Sequence, residues 1–148
     1  MKARLLALSL AAVALLAARP TSARDDRLTF KIKDALEHST SKQKLDPGVH
    51  LYFGKRAHPK AQQDLGDFKA AEKTRAVGRN DQEACDWAFL SAVLKLQDRA
   101  HSLQANAVVD IVSLYRNETI ANETDYVCSA GSMMSGVSLQ GHFVKLPK

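Results

Sequence analysis

The sequence predicts an α+β fold: one long helix packed on a mainly antiparallel sheet that ends in a three-stranded meander, with a disulfide tying helix to sheet. Three observations carry this expectation. Cys85, Ala88, Phe89, Ala92, Leu96, Ala100 and Leu103 fall within a stripe about 120° wide when residues advance about 100° each, which is the buried face of a helix lying on a sheet. The segments that follow concentrate β-branched residues or alternate apolar with polar ones. Cys85 on the helix and Cys128 on a later strand both fall on inward faces.

The chain opens as a secretory leader. Lys2 and Arg4 precede an apolar run over residues 5–18, then come Arg19-Pro20 and the small residues Thr21-Ser22-Ala23. This charged, apolar, small-residue order is that of a signal peptide (residues 1–23), with cleavage expected before Arg24. A membrane anchor is the competing reading, but about 14 apolar residues fall short of the roughly 20 needed to cross a bilayer. Export would place residues 24–148 in an oxidising compartment outside the cytoplasm. No cysteine follows Ala23, so neither a lipid anchor nor a membrane span is expected and the mature chain reads as soluble.

Losing Lys2, Arg4 and Arg19 takes three from the 21 basic residues, leaving 18 against 16 acidic ones, so the net charge falls from +5 to +2. A near-balanced domain has no excess of Lys and Arg with which to track phosphates, so nucleic acid is not an expected partner. The remaining chain matches one domain able to bury its own core.

Within that domain, residues 24–80 read as strands and an irregular segment, and residues 81–146 as the helix plus meander. Residues 27–32 (RLTFKI) alternate as a short strand, and residues 34–42 follow as a polar helical stretch. Asp46-Pro47-Gly48 is a turn, since Pro presets one φ and Gly accepts a positive one. Val49-His50-Leu51-Tyr52-Phe53 reads as a buried strand. Residues 54–79 carry few large apolar side chains and read as an irregular surface connection with a short strand near residues 74–77.

Asn80 is placed to cap a helix over residues 81–104, with Glu83 reaching back in a capping box. Ala105-Asn106 would end it, Asn tolerating the left-handed conformation. Residues 107–115 form the next strand, residues 117–122 a polar turn, and residues 124–130 a strand with Tyr126, Cys128 and Ala130 on one face. After a turn at Gly131-Ser132, Met133, Val137, Leu139 and Phe143 alternate with Ser138, Gln140 and His142 to about residue 146.

In an oxidising compartment two thiols usually pair, and Cys85 with Cys128 is the one intramolecular possibility. Closing that loop stabilises the fold by about 4 kcal/mol in the chain-entropy model. Two separate free thiols are the alternative. Trp87, Leu90 and Leu94 form a second apolar cluster on nearly the opposite side of the helix from the stripe. Either the segment before Asn80 covers it or a partner does, which makes Trp87, Leu90 and Leu94 the candidate interaction surface.

Chemistry-bearing patterns are sparse. His38, His50, His58, His101 and His142 are scattered without H-x-x-x-H or C-x-x-C spacing, so no metal ligand is assigned. No G-x-S-x-G elbow occurs; Gly131-Ser132-Met133-Met134-Ser135-Gly136 reads as a tight turn with close strand packing. No catalytic residue and no cofactor are expected. Asn117-Glu118-Thr119 and Asn122-Glu123-Thr124 match the glycosylation sequon: in a bacterial protein they read as polar turn residues, whereas in a secreted eukaryotic one this turn would be a glycan site.

Leu103-Gln104-Ala105-Asn106-Ala107-Val108-Val109 resembles a pattern of two bacterial groups over roughly residues 83–143: a helix ending in small-Asn-Ala, then an apolar strand and a final glycine-punctuated strand. One is the YbjQ family, described as heavy-metal binders. The other is the outer-membrane sensor lipoprotein of the Rcs phosphorelay, a periplasmic α+β domain with helix-to-sheet disulfides, from which this chain departs in lacking a lipid-attachment cysteine and a second cysteine pair.

Residues 44–55 (KLDPGVHLYFGK), Glu83-Ala84-Cys85-Asp86-Trp87-Ala88-Phe89-Leu90 and Tyr126-Val127-Cys128 resemble an exported proteobacterial family labelled excinuclease ATPase subunit, over nearly the whole mature chain. That label conflicts with the residues. A P-loop needs G-x-x-x-x-G-K-[ST], whereas here five residues separate Gly48 from Gly54 and Arg56 replaces the Ser or Thr. The expectation is a non-enzymatic, soluble periplasmic binding or interaction protein serving envelope homeostasis. The alternative is a metal- or small-ligand-binding periplasmic domain, oligomeric as the YbjQ resemblance suggests.

Overall fold

A computed structural model describes residues 23–148, so the expected leader, but for Ala23, lies outside the described residues. The elements run β1 (Asp26–Lys31), α1 (Ile32–Glu37), α2 (Ser39–Lys44), β2 (His50–Phe53), β3 (Gln63–Arg75), α3 (Asp81–Leu103), β4 (Ala107–Tyr115), β5 (Glu118–Ile120), β6 (Asp125–Ala130) and β7 (Met134–Lys145). The strands form one seven-stranded, curled sheet with α3 across one face.

β7 is the spine of the sheet. β3 runs along one of its edges from end to end, while β6 and β4 share the other, β6 beside Ser135 and Gly136 and β4 beside Leu139 to Val144. β1 extends the sheet beyond β6, and β2 and β5 both lie on the far edge of β4. Every pairing is antiparallel except β2 with β4. Where β4 and β6 diverge, the Ser113 hydroxyl accepts the Val127 N–H at 3.1 Å, so a buried donor is not left bare. Bulges bend the sheet: β4 breaks step with β7 around Asp110 (φ 49°), and β3 around Gly66 (φ 88°).

Several expectations are corrected. The irregular connection over residues 54–79 contains β3, at 13 residues the longest strand. Its outer positions carry Lys69, Lys73 and Arg75 and its inner ones Ala70, Glu72 and Thr74, so no apolar alternation betrays it, and the bulge shifts the period. The meander is not three consecutive neighbours, because the turn over residues 117–122 holds β5, which folds back on the far side of β4. Ile32 begins α1 instead of ending the first strand, and the helical stretch 34–42 is two short helices broken at His38, whose backbone is extended.

α3 spans 23 residues. Asn80 caps it as the sequence suggests, its Oδ1 accepting the Glu83 N–H at 2.8 Å, but the Glu83 carboxylate turns to Arg79 at 3.4 Å instead of closing a capping box. Gln104, not Asn106, takes the left-handed conformation (φ 55°). The Asn106 amide instead pairs with the Leu146 backbone, donating at 2.9 Å and accepting at 2.7 Å, which fastens the end of the chain to the start of β4.

Phe89 of α3 stacks on Tyr126 of β6 with ring centroids 4.1 Å apart and touches Phe53 of β2, so the three meet in one aromatic column. Around it pack Ala88, Ala92, Leu96, Val108, Ile111, Leu139 and Phe143, all buried. Gly141 of β7 leaves room for the core side chains of β4: a Cβ there would lie 2.4 Å from Val108 Cγ1. Cys85 and Cys128 are bonded across this core, both fully buried, with Cα atoms 5.9 Å apart. The opposite face of the sheet keeps a smaller cluster, Ala107, Val109, Val144 and Leu146, shielded by Tyr52 and Ala61. Among the described residues no helix is long and apolar enough to cross a membrane.

Candidate functional site

α1 and α2 lie beside the N-terminal half of α3, on the side that carries the second apolar cluster. Ile32 and Ala35 are buried there, Leu90 is 2% exposed, and Trp87 and Leu94 are half-buried. The two short helices do not close over α3 completely. Between them runs a cleft of about 460 Å³ lined by Ala35, His38, Thr40, Ser41, Asn80, Gln82, Glu83, Asp86, Trp87 and Leu90. That volume suits a small molecule.

The chemistry of the cleft centres on Asp86. Its Oδ1 accepts the Tyr126 hydroxyl at 2.5 Å, so a carboxylate on α3 is bound to a phenol rising from the core, each one residue or two from a disulfide cysteine. Burial pushes the Asp86 carboxyl above the usual carboxylate value; the Tyr126 hydroxyl and His38 pull it down, while Asp34 pushes it further up, and the net direction is upward. Burial and the adjoining carboxylate likewise drive the Tyr126 phenol far upward, so it stays protonated and acts as a donor. A perturbed carboxyl in a cleft beside an indole is the combination expected of a ligand site.

Trp87 forms the aromatic wall. Lys44, the last residue of α2, places its Nζ 5.1 Å from the indole centroid, so the chain itself supplies a cation to that ring. The turn after α2 is held on α3 by Gln97, a buried polar residue: its Oε1 accepts the Asp46 N–H at 3.0 Å and its Nε2 donates to the Asp46 carbonyl at 2.9 Å. His101 meets the Asp46 carboxylate at 2.8 Å one turn further on. This clamp sets where α2 lies and hence the width of the cleft.

A larger groove, about 700 Å³, crosses the sheet face opposite α3. Its floor is small (Ala71, Gly136, Ser138, Ser129), and three of its charged groups are paired: Arg116 with Asp25, and Arg24 with Asp26 and Asp81. Glu72 and Lys73 also line it and make no ion pair among the described residues, but the smaller cleft, where a carboxyl with a raised pKa stands beside an indole, is the stronger candidate.

The histidines fall apart in space. His38 lines the cleft, His101 pairs with Asp46, His58 packs near Tyr52, and His142 sits between Asp64 and Asp67. Among the described residues no group of three His, Cys, Asp or Glu is placed to hold a metal. Periodicity brings forward Trp87 and Leu90 but not Asp86, Gln97 or Lys44, because a polar residue in an amphipathic helix looks like its solvated face until the covering segment is in place. The available signal is Asp86 itself, a carboxylate set among Ala84, Cys85, Trp87 and Ala88. Compared with known proteins, the chain matches no family model, no curated protein and no solved structure.

Proposed function

We propose that this chain is an exported, non-enzymatic binding protein of the bacterial periplasm whose ligand is a small organic cation held in the cleft at Trp87. The observation that carries the reading is the pairing of a half-buried carboxyl, Asp86, with an indole wall in one cleft of ligand size. Carboxylate and aromatic face both attract cations, and the Tyr126 donor fixes the carboxylate so that no side-chain entropy is lost when the ligand arrives. Glu83 adds a second carboxylate to the rim. Lys44 over the ring supports the same reading, since it marks a position where a cation is already favoured.

Because the chain holds a single tryptophan, its fluorescence reports on this cleft alone. Titration of the mature protein with n-butylammonium and tetramethylammonium should change Trp87 emission saturably, whereas acetate at equal ionic strength should not. Equal responses to all three salts, or none to any, would overturn the proposal.

A further inference from the structure

β3 has a partner on one edge and, among the described residues, no strand on the other. From Asp67 to Arg75 it keeps strict step with His142 to Met134 of β7, so its free edge is straight and unbroken over that stretch, with the bulge confined to its first residues. Such an edge presents the N–H and C=O groups of alternate residues to any extended chain, and proteins commonly guard it with lysines. Here the guard is patterned. Asp67, Lys69, Ala71, Lys73 and Arg75 alternate along the exposed outer face, while Phe68, Ala70, Glu72 and Thr74 face the side of α3.

We infer that the mature chain forms a symmetric dimer by antiparallel pairing of β3 with β3 of a second copy, centred on Ala70. The charges select the register. With Ala70 opposite Ala70 of the second copy, Asp67 lies across from Lys73 twice, and Lys69 lies across from Ala71. Shifting the centre to Ala71 sets Lys69 across from Lys73 twice but also Asp67 across from Arg75 twice, so attraction and repulsion offset, and shifting it to Lys69 sets that lysine across from itself. Directly opposed like charges destabilise a strand pair and opposite charges stabilise it, so the central register, with two opposite-charge pairs and no like-charge pair on this face, is favoured over both neighbours. Lys73 makes no ion pair within its own chain among the described residues, which leaves it free for Asp67 of the second copy. Asp67 holds His142 through Oδ1 at 2.7 Å and has its other oxygen to offer. The central alanines are small enough to let the strands approach. The dimer joins the two sheets edge to edge and leaves the cleft at Trp87 untouched.

Sedimentation equilibrium of the mature protein, over micromolar to millimolar concentration, should show a reversible rise to twice the chain mass. Lys73→Asp, on an exposed position that leaves the fold intact by circular dichroism, should weaken that association at least tenfold. Mild oxidation of the paired variant Lys69→Cys/Ala71→Cys should give a covalent dimer, because those positions face each other across the axis, whereas neither single substitution should. The native Cys85–Cys128 bond is buried and does not take part. A monomer at every concentration, an unchanged association in Lys73→Asp, or efficient cross-linking by Ala71→Cys alone would each overturn the inference.

Discussion

Replacing both cysteines, as Cys85→Ala/Cys128→Ala, should lower the stability of the fold by about 4 kcal/mol. The figure follows from the 43-residue separation of the bonded pair: cutting that loop restores its closure entropy to the unfolded chain. The removed sulfurs are fully buried, so lost packing adds to the effect. For the 126 described residues, an unfolding entropy of about 2.1 cal/mol/K per residue is about 0.26 kcal/mol/K in total, so the melting temperature should drop by about 15 °C. Differential scanning calorimetry of the wild type and the double variant measures it directly. Urea unfolding adds an independent check, since an unfolded chain freed of its cross-link exposes more surface and the denaturant slope should rise. A melting temperature within about 4 °C of the wild type, equivalent to about 1 kcal/mol on the same scale, would refute the loop-closure reasoning. Because the bond holds the start of α3 to β6 beside the Asp86–Tyr126 pair, the variant should also bind n-butylammonium more weakly while still folded at low temperature.

Three other outcomes are expected. Lys44→Gln removes the cation that competes for the Trp87 ring, and fluorescence titration should show n-butylammonium binding two- to five-fold tighter, the equivalent of about 0.5–1 kcal/mol of cation–π interaction. Asp86→Asn keeps an acceptor for the Tyr126 hydroxyl but removes the charge, so binding should fall about 10- to 100-fold with the thermal melt little changed. In the wild type the folded Asp86 carboxyl has a raised pKa; it therefore favours the fold at low pH, an advantage lost as pH rises through that pKa, while cation binding runs the other way and weakens as pH falls through it. For His142 burial lowers the pKa, but the Asp67 hydrogen bond and the Asp64 charge outweigh it and the net direction is upward. Its contribution is full below the ordinary histidine value of 6.5 and is lost as pH rises through the folded pKa, so His142→Gln should flatten the fall in urea-unfolding stability that the wild type shows as pH rises from 6.5.

Local chemistry in the sequence accounts for much of the fold. The stripe from Cys85 to Ala100, the Asn80 cap and the β-branched run in β4 each express a preference that needs no distant partner, and the structure carries all three. The Cys85–Cys128 bond was legible because two separate periodicities turned both thiols inward. β3 was not legible: a strand whose outer face is lysine and whose inner face is alanine, glutamate and threonine earns its place only from the full-length ladder with β7, which lies about 70 residues further along in register. The sheet order was equally hidden, since the choice of β7 as the strand shared by β3, β4 and β6 depends on pairings between residues far apart in the chain.

The candidate site divides the same way. The sequence alone determined that Trp87, Leu90 and Leu94 form an apolar cluster that α3 cannot bury against its own sheet, because helical periodicity is a property of the chain and nothing else. Only the tertiary structure decided what that cluster became. It laid α1 and α2 over Leu90, brought Lys44 onto the Trp87 ring, and joined Asp86 to a tyrosine 40 positions away. The shift in the Asp86 carboxyl arises from burial beneath groups remote in sequence, and desolvation is a property of an assembled environment that no residue carries by itself.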